Sequence, residues 1–213
     1  MKTEELVSLL ATGAEAVEVR MQRRRFVLAL LAGTAAALGL TASWLGFRSN
    51  LPADFPQPLF WYKEVFCVGL SAAGAVAAFR LGRPGSRPGR SGIVVAALVC
   101  AMALLAALTL VTADADRRAV LLFGQTSKVC SIRIALVSTP VLVGLFAAMK
   151  ALAPTRLRWA GAASGFAAGS IGALAYSLHC PELAAPFVVL WYGLGISIPT
   201  LLGVWMGPML LRW

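Results

Sequence analysis

The sequence predicts an all-α integral membrane protein, a six-transmembrane-helix bundle with a short cytoplasmic N-terminal helix. Three observations carry this reading. Of the 213 residues, 59% are hydrophobic and only 13% are charged, with a mean hydropathy of +0.80; soluble domains hold about 45–50% apolar and about 25% charged residues. The apolar residues gather into six runs, each long enough for the roughly 20 residues of helix that cross a bilayer core. Basic residues are shared unevenly between the two sets of connecting loops. Together these features exclude a soluble globular enzyme, a disordered tail and a secreted disulfide scaffold.

Residues 1–25 form an amphipathic N-terminal segment ahead of the bundle. Thr3 can cap a helix whose first turn holds Glu4 and Glu5, near the positive helix end. Leu6, Leu9, Leu10, Gly13 and Val17 then recur at helical spacing on one face, while Glu4, Glu5, Glu15 and Glu18 make the rest acidic. A helix lying on a membrane surface prefers a basic polar face. An acidic one fits a protein groove better, so Leu6, Leu9, Leu10 and Val17 are candidates for partner binding. Folding back onto the bundle is the other reading of the same pattern.

Residues 26–213 carry the six spans. They are Phe26–Phe47, about Phe60 to Leu81, Gly92–Thr112, about Cys130 to Met149, Trp159–Leu178 and Pro186–Leu211. The first, third and fifth contain no charge inside them. The second opens on Trp61-Tyr62-Lys63-Glu64, read as an interfacial end. Arg133 lies near the start of the fourth, where a long side chain can snorkel to the headgroups. The first run is too long for the hydrophobic part of a signal peptide, and Gly46-Phe47-Arg48 is a poor cleavage site, so it reads as a retained helix. Gly161, Gly165 and Gly169 recur every fourth residue and so share one face, a packing seam that permits close backbone approach. Pro199 removes a backbone hydrogen bond inside the sixth span and should kink it.

Charge sets the orientation. Thirteen of the 19 basic residues fall on one side: Lys2, Arg20, Arg23, Arg24, Arg25, Arg80, Arg83, Arg87, Arg90, Lys150, Arg156, Arg158 and Arg212. Six fall on the other: Arg48, Lys63, Arg117, Arg118, Lys128 and Arg133. The bias places both termini of this multi-pass protein in the cytoplasm. The basic loop Arg83–Arg90 then meets anionic lipid and not nucleic acid.

The sequence argues against catalysis and transport. The span centres hold no ionisable group to bind an ion or relay a proton. There is no phosphate-binding glycine loop, no Gly-x-Ser-x-Gly and no zinc-protease histidine pair, and no cofactor is expected. The four cysteines are Cys67, Cys100, Cys130 and Cys180. Cys67 and Cys100 fall inside spans and read as small packing residues. Cys130 opens the fourth span and Cys180 lies between the fifth and sixth, in Tyr176-Ser-Leu-His-Cys-Pro-Glu182. Both face the oxidising side, where disulfides persist and soft metals arrive first. A static disulfide, a switchable redox or metal-sensing pair, and two unrelated thiols all remain open for them. His179 is either a polar residue beside the turn or a third ligand.

Several of these segments together resemble the NrsF-like family of bacterial six-helix membrane anti-sigma factors, negative regulators of extracytoplasmic-function sigma factors. They are the N-terminus Met1-Lys-Thr-Glu-Glu-Leu6, the basic Arg23-Arg-Arg25, Cys130, Ala153-Pro154, the Tyr176–Glu182 stretch, Trp191-Tyr192-Gly-Leu-Gly195, and Gly207-Pro-Met-Leu-Leu-Arg-Trp213. The resemblance implies that Cys130 and Cys180 take part in signal perception and that the cytoplasmic face holds an extracytoplasmic-function sigma factor until stress comes. A thiol–quinone type membrane oxidoreductase is the competing class, weakened because no Cys-x-x-Cys occurs; a small transporter comes third.

The topology makes a direct prediction. Reporter fusions at residues 85 and 155 should read cytoplasmic and those at 52 and 115 external. An external reading at 85 overturns the map.

Overall fold

A helix can touch backbone on several sides only if it gives up its side chains. Leu157–Ser177 does so: 14 of its 21 residues are Gly, Ala or Ser, and 15 of the 21 are buried. The computed structural model describes residues 4–5, 19–48 and 54–212, and among them every element is helical. In chain order they are α1 (Val19–Leu40, ending in a wide π-turn, Thr41–Leu45), α2 (Pro58–Leu81), α3 (Ser91–Thr112), a short α4 (Ala115–Phe123), α5 (Ser127–Lys150), α6 (Leu157–Ser177) and α7 (Ala185–Leu210).

Helix α6 is the hub. It packs against α7, α2 and α5, while α1 lies on α5, and α3 lies on α2 and the start of α7. The periphery looks different: only Ser91, Met102 and Ala106 of α3 are buried. The predicted glycine seam is present. A Cβ built on Gly161 would fall on the Gly203 carbonyl and 2.9 Å from the Gly207 Cα. One on Gly165 would fall on the Pro199 carbonyl and 2.8 Å from the Thr200 Cα. On other sides of α6, Gly172 meets Ser138 and Ile134 of α5, and Gly74 of α2 meets Ala167. These contacts are tighter than any side chain permits, so dispersion is gained along whole backbones.

The six runs read from the sequence correspond to the six long helices. Five of those are long and apolar enough to cross a membrane. The fifth run, α6, falls short on hydropathy because the same small residues that let it pack centrally carry little apolar surface. Helix α4 was not expected; it forms a short amphipathic piece in the connection between α3 and α5. The helices run alternately up and down. Residues 46–48 and 54–57 and the connections 113–126 and 178–184 meet at one end, the cysteine end, tied by Arg48 N to Leu178 O at 3.3 Å and by Gln125 N to Glu182 Oε1 at 2.7 Å. The opposite, arginine end joins the 82–90 and 151–156 connections, with Gly85 N donating to Thr155 Oγ1 at 3.3 Å.

The seam can be tested by adding one methyl group. Gly165→Ala should lower stability in detergent by about 1–3 kcal/mol, because the obstacle is backbone and cannot rotate away. Gly39→Ala, where nothing lies within 4 Å, should be neutral or stabilise by up to about 1 kcal/mol. Thermal unfolding of both variants reads the difference; equal effects would mean the seam is loose.

Candidate functional site: a buried thiol pair under a cationic clamp

Helix α6 ends at Ser177, and its last carbonyls point into the cysteine end of the bundle. Such a terminus leaves orphan acceptors and a partial negative charge. Every one of the following carbonyls finds a donor. Tyr176 O accepts from the backbone N–H of His179 (2.9 Å) and of Cys180 (3.0 Å). The Lys63 ammonium, fully buried, donates to Ser177 O at 3.2 Å, Cys180 O at 3.2 Å and Glu182 O at 3.3 Å. Arg48 donates from Nη1 to Cys180 O at 3.1 Å, and its guanidinium also pairs with Asp54. Gly46, with φ +76, takes the left-handed backbone that turns the chain so that Arg48 reaches this segment. Ser177 Oγ donates to Glu64 Oε2 at 2.9 Å.

The two cysteines singled out from the sequence are brought together under this clamp. Both are free and fully buried, and they share one apolar cluster at this end of the bundle. Thr126 Oγ1 lies 3.7 Å from the Cys180 sulfur. The rings of Tyr176 and Tyr192, both fully buried, stand 6.1 Å apart. Neither tyrosine hydroxyl has a hydrogen-bond partner among the described residues. Cys180 lies in the connection after α6. The neighbouring Cys130, with the Glu182 backbone, the Lys63 charge and the Thr126 hydroxyl, holds its thiol down to about 6 against the burial that pushes it up. A thiol so held loses its proton more readily than its neighbour and is the better nucleophile of the pair.

His179 is placed differently. Its Nδ1 donates to Gly46 O at 2.9 Å, which leaves Nε2 to accept from Arg133 Nη1 at 3.3 Å. Both nitrogens of a neutral ring are thus engaged, and among the described residues no three His, Cys, Asp or Glu side chains gather for a metal. In this structure His179 ties α1, α5 and the Cys180 segment together. Arg133 turns inward to that ring instead of snorkelling outward. Lys63, read as interfacial, is buried instead. Cys67 is buried in the same cluster as the pair, whereas Cys100 is exposed on α3 and not a packing residue. Leu6, Leu9, Leu10 and Val17 lie outside the described residues; Glu4 and Glu5 are helical and exposed.

Sequence reasoning missed Lys63, Arg48 and the two tyrosines. The Lys63-Glu64 pair at the head of an apolar run was the available signal. The tyrosines stood inside the quoted segments around Cys180 and Gly193.

Among the described residues the chain is all helical with a buried thiol pair at one end of the bundle, and comparison with known proteins places it among regulatory proteins rather than enzymes. The model of the family described as "Negative regulator of sigma F" matches residues 10–213. The chain is 43% identical over 213 residues to the probable anti-sigma-F factor NrsF of Azospira oryzae. It is 38% identical over 218 residues to the anti-sigma-F factor NrsF of Caulobacter vibrioides. Both matches cover 100% of each chain. No solved structure matches. The chain belongs to the NrsF family of anti-sigma factors, negative regulators of sigma F, as its motifs implied.

The depressed Cys180 thiol predicts a pH dependence. Because its folded value lies below the unfolded one of about 8.5, it stabilises the fold above that value and loses this as pH falls through about 6. In a Cys67→Ser, Cys100→Ser chain, alkylation of Cys180 by iodoacetamide should reach half its plateau near pH 6, and Cys130→Ala should move that midpoint upward. A midpoint near 8.5 in both chains would show an ordinary thiol.

Proposed function

We propose that this chain sequesters an extracytoplasmic-function sigma factor at the bacterial inner membrane and releases it when metal or oxidant stress reaches Cys130 and Cys180. The reading keeps six membrane spans, both termini in the cytoplasm and the cysteine end outside. Five apolar helices and the basic-residue bias support it. The observation that supports the sensing part is that Cys130 and Cys180, both fully buried, lie in one cluster at the end away from the arginine-rich loops.

The chemistry balances simply. Oxidation of two thiols to a disulfide gives up two electrons and two protons, and the oxidant takes up both electrons. A soft metal bridging the sulfurs displaces the two thiol protons instead. Either event favours one arrangement of the bundle over another by its differential affinity for the two. A coupling of about 1–3 kcal/mol changes partner affinity roughly 5–150-fold. On the cytoplasmic side, Leu6, Leu9, Leu10 and Val17 offer an apolar face for the sigma factor, and binding there keeps the sigma factor from the transcription machinery.

Co-purification of the detergent-extracted full chain with its sigma factor tests both halves. The unchanged chain should retain the sigma factor and lose it on treatment with diamide or cadmium. The Cys130→Ser, Cys180→Ser double variant should retain it under both conditions, and each single variant should match the double. Leu6→Asp with Leu10→Asp should lose it while still inserting, since an unpaired charge in an apolar groove costs several kcal/mol. Normal release from the double cysteine variant would end the sensing reading; full retention by the leucine variant would move the docking surface to the basic loops.

A further inference from the structure

The proposed sensor needs a route from the thiols to the place where a partner is held, and the contacts of the Cys180 segment point to one. The Cys180 carbonyl accepts from two cations, Arg48 Nη1 at 3.1 Å and Lys63 Nζ at 3.2 Å. Neither belongs to the helices on either side of Cys180. Arg48 directly follows α1, and Lys63 lies near the start of α2. Two more ties join the same partners: Arg48 N donates to Leu178 O at 3.3 Å, and His179 Nδ1 donates to Gly46 O at 2.9 Å. Asp54, paired with the Arg48 guanidinium, fastens the connection between α1 and α2 to the same point.

The two possible routes differ in what can move. Along the α6–α7 seam, backbone lies on backbone, with no room for even a Cβ at Gly161 or Gly165. Packing of that kind has no second arrangement at hand. The Cys180 segment, by contrast, is a non-helical connection held by directional, charge-assisted hydrogen bonds that can break and re-form. Covalent bonding or metal bridging to Cys130 draws the Cys180 sulfur toward Cys130 and away from the Thr126 hydroxyl, and its own carbonyl moves with it. That carbonyl is where α1 and α2 hold on. The far end of α1, at Val19, leads into residues 1–18, where the proposed docking face lies.

We infer that Arg48 and Lys63 are positioning residues that read the state of Cys180 and pass it to α1 and α2, so that the signal leaves the thiol pair through the outer end of α1 and not through the glycine seam. The inference rests on the proposed sensing function and names its route.

The test uses the full chain in membranes, carrying Cys67→Ser and Cys100→Ser so that maleimide labelling counts only Cys130 and Cys180. Diamide is the stimulus, and sigma-dependent transcription is the output. In Arg48→Gln and in Lys63→Met, diamide should consume the thiols as in the parent chain, the sigma factor should stay bound without stimulus, and induction should fall at least about fivefold. Arg48→Lys, which keeps a cationic donor, should restore part of the induction. Full induction in Arg48→Gln overturns the route. Release without stimulus also overturns it, because the cations would then merely hold the sigma-binding fold together. Unconsumed thiols overturn it too, by placing the cations in the thiol chemistry alone. If Lys63→Met does not accumulate, Arg48→Gln decides. The sensing function fails separately, if the double cysteine variant induces normally.

Discussion

The constraint on which the cysteine end depends is the unsatisfied terminus of the central helix. Helix α6 stops inside the bundle, so its last carbonyls cannot turn to bulk water, and a buried carbonyl without a donor costs about 1–3 kcal/mol. The sequence meets this with side chains from elsewhere in the chain. Lys63 and Arg48 supply donors and positive charge to the negative end of the helix, and His179 closes the turn against Gly46. Cys180 is held within that crown, beside Cys130. The thiol pair is therefore a consequence of how α6 is capped, and whatever disturbs the pair disturbs the cap.

The rest of the bundle divides the labour along its length. Toward the arginine end, α6 and α7 meet backbone to backbone through Gly161, Gly165, Gly203 and Gly207. That contact fixes their relative position. Toward the cysteine end the small residues give way to Tyr176, Tyr192 and the two thiols, and α7 passes through a π-turn, Val188–Tyr192. The wider turn leaves the Trp191 carbonyl accepting Ser131 Oγ at 2.8 Å, and Trp191 Nε1 reaches Leu122 O at 2.8 Å. Buried polar contacts of this kind are directional, so they specify one arrangement more sharply than apolar packing does.

Much of this was legible in the sequence because it rests on local patterns. Six long apolar runs mark six helices whatever their packing. Glycines at positions 161, 165 and 169 share a face by helical geometry alone, and the flanks of Cys130 and Cys180 place both at the same end of neighbouring elements. What was not legible depends on tertiary position. An aromatic-lysine head such as Trp61-Tyr62-Lys63 looks the same whether the lysine faces headgroups or a helix terminus, and only the fold turns it inward. Arg133 differs from a snorkelling arginine only by the ring of His179 opposite it. His179 beside Cys180 suggests a ligand, but its ring is already used on both sides. The low hydropathy of α6 follows from its central place, which the sequence shows only as small residues.

The central claim is that Cys130 and Cys180 form one buried, reactive unit. The most direct measurement is oxidation of the Cys67→Ser, Cys100→Ser chain in its native membrane with diamide, followed by digestion and mass spectrometry of the cross-linked peptides. The account predicts that an intramolecular Cys130–Cys180 disulfide is the main product, with two electrons and two protons passing to the diamide. Free thiols at both positions, or cross-links only between separate chains, would contradict it.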